Sequence, residues 1–266
     1  MALNKTTDTQ FGIAFQSLIP IRKEPDHKSE LGTQLLFGEH YKLLEESTDG
    51  EWFLVENAFD GYVGWMSSKQ HKSISQAYFE VLESMCWPCS KDLIGLVHGQ
   101  NKVIPIVYGS VMPIFNKGIM LVEKEACKYQ GAVFFPVKVT DFDSLYNIAR
   151  FYVAAPYLWG GKSPFGIDCS GLVQQVYRIC GYKLPRDAAQ QGEMGVEVSL
   201  PESRPGDLAF FKDASGIVSH VGIVFPHKCI LHASGDVRID KLDEKGIFNR
   251  DLQAYTHRFY SAKRIF

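Results

Sequence analysis

The sequence has no long apolar run, no excess of basic residues and no repeated cysteine pair. None of its apolar stretches approaches the length of about 18 residues that a transmembrane helix needs. Its 28 lysines and arginines are offset by 30 aspartates and glutamates, which gives a net charge of −2. This balance provides no basic surface for nucleic acid or for an anionic membrane. We therefore expect neither of them as a partner.

The N-terminus also lacks the pattern of a signal peptide. The first 25 residues, MALNKTTDTQFGIAFQSLIPIRKEP, contain no charged segment followed by a long apolar segment. We therefore expect a cytoplasmic protein. The alternative is an exported protein whose signal peptide is missing from this chain.

Cysteine is present but does not form a framework. Six cysteines are scattered through 266 residues, a length that can bury a core without disulfide bonds. Cys86 and Cys89 form one CxxC pair, which we interpret as structural or incidental thiols. No second CxxC and no HExxH motif accompanies the pair, so a metal-dependent enzyme is a weak alternative. The sequence thus predicts no metal and no cofactor.

Residues 11–137 consist of short apolar runs separated by turn residues. Examples of the runs are QLLFGE, WFLVEN and VIPIVYG, and turn signals occur at Asp49-Gly50 and Asp60-Gly61. Such a pattern is typical of small all-β barrels. It predicts two barrels, at residues 1–72 and 73–137. The segment SISQAYFEVLESM at their junction favours either a strand or a helical turn.

The pattern changes near Asp141, where helical spacing begins. One helix is predicted to run from there toward Tyr152, and a second to begin at Cys169 or Ser170 and end at Gly181. Strands are then predicted at 207–212, 220–225, 229–234 and near the C-terminus. Helices followed by antiparallel strands indicate an α+β domain at residues 138–266.

A reactive thiol is predicted at the start of the second helix. The dipole and free N–H groups of a helix N-terminus stabilise a thiolate, and Cys169 lies at such a position. His220 and His232 lie on adjacent predicted strands, which can place both side chains on one face. This arrangement predicts Cys169 as nucleophile, His220 as general base and His232 as its orienting residue. The alternative for Cys169 is a small buried residue. We interpret a further set of histidines as solvated: His40, His71, His98, His227 and His257.

Four segments of the chain resemble one enzyme family. In order, GIDCSGLVQQVY, PGDLAFF, SHVGIV and LHAS are similar to segments of NlpC-type papain-like cysteine peptidases of bacterial cell-wall metabolism. The resemblance covers about residues 141–266. It implies a papain-like α+β domain in which Cys169 is the nucleophile, His220 the base and His232 the third polar residue. The segment PYLWGG is similar as well, which implies that Tyr157 lies in the active site.

The domain order narrows the resemblance. Two SH3-like barrels before such a domain resemble the γ-D-glutamyl-L-diamino-acid endopeptidases, or dipeptidyl-peptidase VI. These enzymes release L-Ala-γ-D-Glu from murein stem peptides that have a free N-terminus. The segment LPRDAAQQ is similar to the one in which an acid binds the ammonium of L-Ala, which implies this role for Asp187. Ala188 stands where a serine is expected, which puts one hydrogen bond to the substrate in question.

Four further residues are predicted to bind substrate. KSELGTQLLFGE and FDGYVGW resemble substrate-contacting parts of the first barrel, which implies Glu30 and Tyr62. Their alternatives are a solvated acid and a half-buried strand tyrosine. Asp168 and Ser170 flank the nucleophile and are predicted to hold the D-Glu carboxylate or backbone. Asp168 is equally well explained as a helix N-cap.

The sequence therefore predicts a cysteine peptidase that hydrolyses the γ-D-Glu–diamino acid bond of free murein stem peptides. Its expected role is the recycling or degradation of cell-wall peptides, and we expect a monomer with a murein-derived peptide as its partner. One alternative is an endopeptidase that cuts intact peptidoglycan while the barrels bind the wall. Another is a wall-binding protein with an inert peptidase domain, which the intact set of Cys169, His220 and His232 disfavours.

Overall fold

The chain forms two compact units in a computed structural model, which describes residues 10–266. The units are Met1–Phe134 and Phe135–Phe266, and their boundary lies close to the predicted start of the α+β domain at residue 138. The first nine residues, which the sequence assigns to the first barrel, lie outside the described residues. Among the residues described, no helix is long and apolar enough to cross a membrane.

The first part of the first unit is a seven-stranded antiparallel sheet. The strands are β1 (Gln10–Ile13), β2 (Leu18–Arg22), β3 (Leu31–Leu36), β4 (His40–Glu46), β5 (Trp52–Asn57), β6 (Val63–Ser67) and β7 (Ser73–Ile74), with a 3₁₀ turn at Ser68–Gln70. Their order is β3-β2-β6-β5-β4-β1-β7. The predicted turns are confirmed at Gly50 and Gly61, whose φ angles of +73° and +72° suit glycine.

The rest of the first unit consists of α1 (Gln76–Glu83) and short strands. These strands are β8 (Cys89–Ser90), β9 (Ile94–His98), β10 (Val103–Val107), β11 (Ile119–Val122), β12 (Glu125–Tyr129) and β13 (Val133–Phe134). Four of them form a sheet in the order β10-β9-β12-β11, and β13 pairs with β8. The junction segment thus contains both a strand, β7, and a helix, whose N-cap Ser75 accepts a hydrogen bond from the N–H of Tyr78.

The two all-β segments share one hydrophobic core. Phe37 and Ile74 from the first segment pack in the same buried cluster as Val97, Ile104 and Met120 from the second. The prediction of an all-β region is therefore confirmed, apart from α1. Whether it counts as two separate barrels stays a prediction, since this core joins the segments.

The second unit contains three helices and nine strands, together with 3₁₀ turns at Arg150–Tyr152 and Leu200–Glu202. The helices are α2 (Phe142–Ala149), α3 (Cys169–Ile179) and α4 (Ala188–Gln191). The strands are β14 (Lys162–Ser163), β15 (Gly166–Ile167), β16 (Val196–Val198), β17 (Leu208–Lys212), β18 (Val218–Phe225), β19 (Cys229–Ser234), β20 (Asp236–Asp243), β21 (Gly246–Asn249) and β22 (Ala254–Arg264).

Both predicted helices of this unit are confirmed. Asp141 caps α2 by accepting a 2.8 Å hydrogen bond from the N–H of Ser144. Helix α3 begins at Cys169, and Gly181, with a φ of +81°, follows its C-cap residue Cys180. Helix α3 is buried along almost its whole length and packs against β18 and β19.

The antiparallel sheet of this unit closes into a barrel. Its order is β16-β22-β17-β18-β19-β20-β21, and β22 also pairs with β21, so six strands form a closed ring. The predicted strands correspond to β17, β18, β19 and β22, whereas β20 and β21 are not among the strands that the sequence pattern indicates. Closure brings β22 beside β17, whose paired residues precede those of β22 by about fifty positions.

Gly246 lies at the point of closure, and we predict that Gly246→Ala destabilises the protein strongly. Its φ is +138°, and a methyl group here would lie 1.8 Å from the carbonyl oxygen of His257 on β22. We expect the free energy of unfolding, measured by urea denaturation, to fall by about 3 kcal/mol or more. Gly216→Ala is the control, because Gly216 has a φ of +84° with nothing within 4 Å, and about 1–2 kcal/mol is expected. Equal losses would contradict the role of Gly246 in closure.

Candidate active site

Cys169 is the first residue of α3 and is buried at the helix N-terminus. Its position is set by Asp168, the N-cap residue, whose Oδ1 accepts a 2.7 Å hydrogen bond from the N–H of Gly171. The other oxygen, Oδ2, accepts a 2.8 Å bond from the N–H of Gly160. One carboxylate thereby joins the preceding loop to the helix start. The N-cap interpretation of Asp168 is what the geometry shows, and its contact with substrate stays a prediction.

Arg186 holds the same carboxylate from a different segment. Its Nη1 and Nη2 atoms lie 3.0 and 2.6 Å from Oδ1 and Oδ2 of Asp168, and Nη1 also donates a 2.8 Å bond to Oγ of Ser170. Arg186 is only 2% exposed. A buried charge of this kind is stable only when it is paired, so Asp168 and Arg186 depend on each other. Arg186 lies in the segment LPRDAAQQ but is not among the predicted site residues, because only the tertiary structure shows its partner.

The thiol of Cys169 faces the beginning of β18. Burial raises the pKa of the Cys169 thiol to about 12, and the carboxylate of Asp168 adds to this rise. A hydrogen bond from the backbone of Val221, the residue after His220, acts in the opposite direction, as does the guanidinium of Arg186. Charge on the sulfur alone is therefore unfavourable in this pocket. Formation of the thiolate requires a base that takes its proton at the same time.

His220 is the base that the sequence predicts, and its own charge is also disfavoured. Burial lowers the pKa of His220 well below its ordinary value, and the neighbouring His257 and His232 lower it further. Transfer of the proton from Cys169 to His220 leaves the net charge of the pair unchanged. This transfer is consequently the favourable route to the nucleophile.

A chain of hydrogen bonds sets the tautomer of each histidine. Nε2 of His232 lies 3.2 Å from Oδ2 of Asp240, a carboxylate that only accepts, so this nitrogen carries the proton. Burial lowers the pKa of His232, which keeps the ring neutral and leaves Nδ1 with a lone pair. That Nδ1 lies 3.0 Å from Nε2 of His220, which must donate. Nδ1 of His220 then carries a lone pair that can accept a proton.

Asp240 and Arg238 complete this chain, and the sequence analysis did not find either of them. Arg238 donates 2.9 and 3.3 Å hydrogen bonds from Nε and Nη2 to the carboxylate of Asp240, which is buried. Both residues lie on β20, and Arg238 is in register with His232 on β19. Residues two positions apart on a strand lie on the same face, so Arg238 and Asp240 could have been paired from the sequence if β20 had been predicted.

His257 contradicts the sequence interpretation of a solvated histidine. It is half-buried, and its ring stacks on that of His220 with a centroid distance of 4.0 Å and an interplanar angle of 23°. Burial lowers the pKa of His257 to about 4. The interpretation is wrong because β22 pairs with both β17 and β21, and this closure of the barrel brings His257 against His220.

Tyr157 lies near the nucleophile, as predicted. It forms an isolated bridge with Ile167, and its N–H donates a 2.9 Å hydrogen bond to the carbonyl of Gly235. Burial raises the pKa of Tyr157, and the nearby Cys169 and Asp168 raise it further. Its hydroxyl therefore stays protonated at neutral pH. Contact with substrate is still a prediction for this residue.

The remaining predicted residues differ in their surroundings. Ser170 is buried, and its hydroxyl accepts from Arg186. Asp187 is exposed at the N-cap of α4, yet its side chain makes no capping hydrogen bond. Glu30 and Tyr62 belong to the first unit, where the hydroxyl of Tyr62 is buried without a hydrogen-bond partner among the described residues. Their contacts with substrate stay predictions.

Comparison with known proteins agrees with this geometry. Residues 154–256 match the NlpC/P60 family, and residues 21–70 match the bacterial dipeptidyl-peptidase SH3 domain. A γ-D-glutamyl-L-lysine dipeptidyl-peptidase of Bacillus subtilis is 30% identical over 216 residues, which cover 76% of this chain and 71% of that protein. The chain belongs to the NlpC/P60 family. It is therefore a cysteine peptidase, as the sequence predicted.

Other members resemble this NlpC/P60 peptidase along most of its length. Dipeptidyl-peptidase 6 of Lysinibacillus sphaericus is 27% identical over 86% of this chain and 91% of that protein. The crystal structure of an NlpC/P60 family protein from Bacillus cereus covers 96% of this chain and 99% of its own, with a TM-score of 0.81 at 21% identity. This structural likeness confirms the fold, a papain-like domain with an N-terminal SH3-like domain.

We predict that Cys169→Ala abolishes peptide hydrolysis. Alanine removes the nucleophile at the start of α3, and a loss of at least about a thousandfold in kcat is expected, measured by mass spectrometry of the products. Cys180→Ala is the matched control, because Cys180 is a buried thiol at the other end of α3. It should leave kcat within about threefold once the folded fraction is equal. Comparable activity of the two variants would exclude Cys169 as nucleophile.

We further predict that Asp240→Asn slows the enzyme through the tautomer of His220. An amide N–H that donates to Nε2 of His232 moves the proton of that ring to Nδ1, which then donates to His220. The proton of His220 shifts in turn to Nδ1, where it blocks acceptance from Cys169. We expect kcat to fall on the order of a hundredfold with little change in KM.

The control for this variant is Asp251→Asn. Asp251 also accepts from Arg238, at 2.6 Å, and it is exposed. The structure shows no hydrogen bond between its carboxylate and His232 among the described residues, so kcat should stay within about twofold. If the two variants lose activity equally, the effect of Asp240 comes from its bond to Arg238 on β20 and not from the tautomer of His232.

Proposed function

We propose that this peptidase hydrolyses the bond between the γ-carboxyl of D-Glu and a diamino acid in murein stem peptides with a free N-terminal L-Ala. The observation that carries the proposal is the placement of Asp187. Its carboxylate is close enough to Arg186 to help raise the pKa of that guanidinium, which is bonded to Asp168 beside Cys169. An exposed carboxylate without a capping bond is available to a cationic ligand.

An α-ammonium is the ligand that fits this carboxylate best. Enclosing an ammonium without a partner is costly, so a pocket that ends at the substrate's N-terminus needs an acid there. The relatives in Bacillus subtilis and Lysinibacillus sphaericus are named dipeptidyl-peptidases, and the former name specifies γ-D-glutamyl-L-lysine. An acid that binds the free amine is consistent with release of a dipeptide.

The proposed reaction follows the proton path of the site. Nδ1 of His220 accepts the proton of Cys169 as the sulfur attacks the γ-carbonyl carbon of D-Glu. The helix N-terminus, whose first N–H groups have no partner within the helix, stabilises the oxyanion. His220 returns the proton to the amine of the leaving diamino acid when the C–N bond breaks. Water, deprotonated by His220, then hydrolyses the thioester and restores the thiol.

The proposed role is in the recycling or degradation of wall peptides. Stem peptides with a free L-Ala amine arise once the peptide has been removed from the glycan, so intact peptidoglycan is a poor substrate in this proposal. A cytoplasmic location is part of the same proposal. In this proposal Asp187 binds the L-Ala end of the substrate and does not select the diamino acid. Substrates that carry L-lysine or diaminopimelate after D-Glu are therefore both to be tested.

We predict that acetylation of the L-Ala amine lowers kcat/KM strongly. Acetylation removes the charge that pairs with Asp187 and adds bulk where the pocket ends. We expect a loss of about thirtyfold or more, which corresponds to roughly 2 kcal/mol at 1.4 kcal/mol per tenfold. The measurement compares L-Ala-γ-D-Glu-L-Lys with its N-acetyl derivative by mass spectrometry.

Asp187→Asn should reduce the difference in kcat/KM between the free and the acetylated peptide. It should reduce kcat/KM for the free amine by about tenfold or more while affecting the acetylated peptide little. Glu193→Gln is the control, because Glu193 is an exposed acid just beyond α4. It should leave the ratio of kcat/KM for the two peptides unchanged. Release of fragments from intact sacculi, without preference for a free amine, would contradict the proposal and favour the wall endopeptidase.

A further inference from the structure

Three imidazoles from three strands of the second unit lie close together. His220, His232 and His257 each present one ring nitrogen, and these nitrogens lie within 4.8 Å of one another. Nε2 of His220 and Nδ1 of His232 are already only 3.0 Å apart. A tetrahedral zinc ion with Zn–N bonds of about 2.0–2.1 Å needs its ligand nitrogens about 3.3–3.4 Å apart. Binding of one ion therefore requires the ring of His257 to move toward the other two rings.

Outer hydrogen bonds leave two of these nitrogens suited to a metal. Asp240 accepts from Nε2 of His232, so Nδ1 of that ring has the lone pair. Thr256 Oγ1, which donates to the carbonyl of Ile247, accepts from Nδ1 of His257 at 2.9 Å, so Nε2 of His257 has a lone pair. Metal-binding histidines have outer partners of this kind, which fix the ring and its tautomer.

We propose that His220, His232 and His257 bind a Zn²⁺ ion reversibly and that this ion switches the peptidase off. Three neutral imidazole nitrogens form a typical donor set for Zn²⁺. His220 and His232 are buried, whereas His257 is half-buried, so the ion enters past His257. The three ligands lie on β18, β19 and β22, a spacing that matches no sequence motif, which is why the sequence predicted no metal.

The inhibitory effect follows from the position of one proton. In the free enzyme, the N–H of His220 is at Nε2 and its Nδ1 accepts from Cys169. When Zn²⁺ takes the lone pair of Nε2, the single proton of the neutral ring moves to Nδ1. No proton is gained or lost by the ring, and no other reactant is needed. An Nδ1–H group cannot accept the thiol proton, so hydrolysis stops while the ion is bound.

The first test measures binding without any substrate. The full chain carrying Cys169→Ala is titrated with Zn²⁺ against a chromophoric chelator, and Co²⁺ is added separately to record its visible spectrum. We expect one Zn²⁺ per chain and the absorption of a tetrahedral Co²⁺ site. Adding His257→Gln or His257→Phe should weaken Zn²⁺ binding at least about tenfold and remove the Co²⁺ bands. His98→Gln, at an exposed histidine of the first unit, should change neither.

The second test uses the enzyme with Cys169 intact. Zn²⁺ should inhibit peptide hydrolysis and EDTA should restore it, with each variant compared with its own rate in the absence of metal. The concentration for half-inhibition should rise at least about tenfold in the His257 variants and stay unchanged in His98→Gln. Thermal melts identify any variant that does not fold, and the two His257 variants serve as replicates.

Three results would overturn the proposal. One is the absence of Zn²⁺ binding by the Cys169→Ala protein, which would place any inhibitory ion on the thiol. Another is unchanged binding in both folded His257 variants. The third is bound Zn²⁺ that leaves the rate of the intact enzyme unaffected. Because the binding test uses no peptide, a failure of the proposed substrate would be distinguished from a failure of the metal site.

Discussion

The buried ion pair between Asp168 and Arg186 fixes the position of Cys169, the predicted nucleophile. The carboxylate of Asp168 accepts hydrogen bonds from the loop at Gly160, from the helix at Gly171 and from the guanidinium of Arg186. Either charge alone would be very costly at this depth, so the three segments can pack only when both are present. Cys169 directly follows Asp168 in the chain, so the contacts of the Asp168 carboxylate also fix the position of the Cys169 thiol.

Close packing around this pair leaves no space for larger side chains. A methyl group on Gly171 would lie 2.4 Å from the carbonyl oxygen of Gly161. The glycines of the loop and of the helix start thus allow two backbones to approach each other. This proximity lets the single carboxylate of Asp168 bond to both backbones.

Burial explains why the catalytic groups act as a set. The environment raises the pKa of Cys169 and lowers that of His220, so each charge by itself is unfavourable. Proton transfer between them avoids a change in net charge. Asp240, through His232, determines which nitrogen of His220 can accept the proton. The same neutral, oriented rings form the donor set proposed for Zn²⁺. Catalysis and inhibition would then compete for one lone pair on His220.

Local sequence patterns indicated most elements of the second unit, although not β20 and β21, and they pointed to the residues predicted to be catalytic. The helix start at Cys169 follows from its capping residue and apolar spacing, and the β18–β19 hairpin follows from two apolar runs around a short turn. These signals are local, since helix capping and strand alternation depend on neighbouring residues. The resemblance of four segments to NlpC-type peptidases added the roles of His220 and His232.

Only the tertiary structure showed what surrounds those residues. Arg186 meets Asp168 across 18 positions, Asp240 reaches His232 through strand register, and His257 stacks on His220 because the barrel closes. Each contact depends on which strands or loops become neighbours, and no local pattern encodes that choice. The sequence by itself therefore determined the enzyme class and predicted its nucleophile. Long-range packing formed the ion pair, the hydrogen-bonded chain of histidines and the three-histidine cluster. These features depend on burial and on closure of the barrel, which exist only in the folded chain.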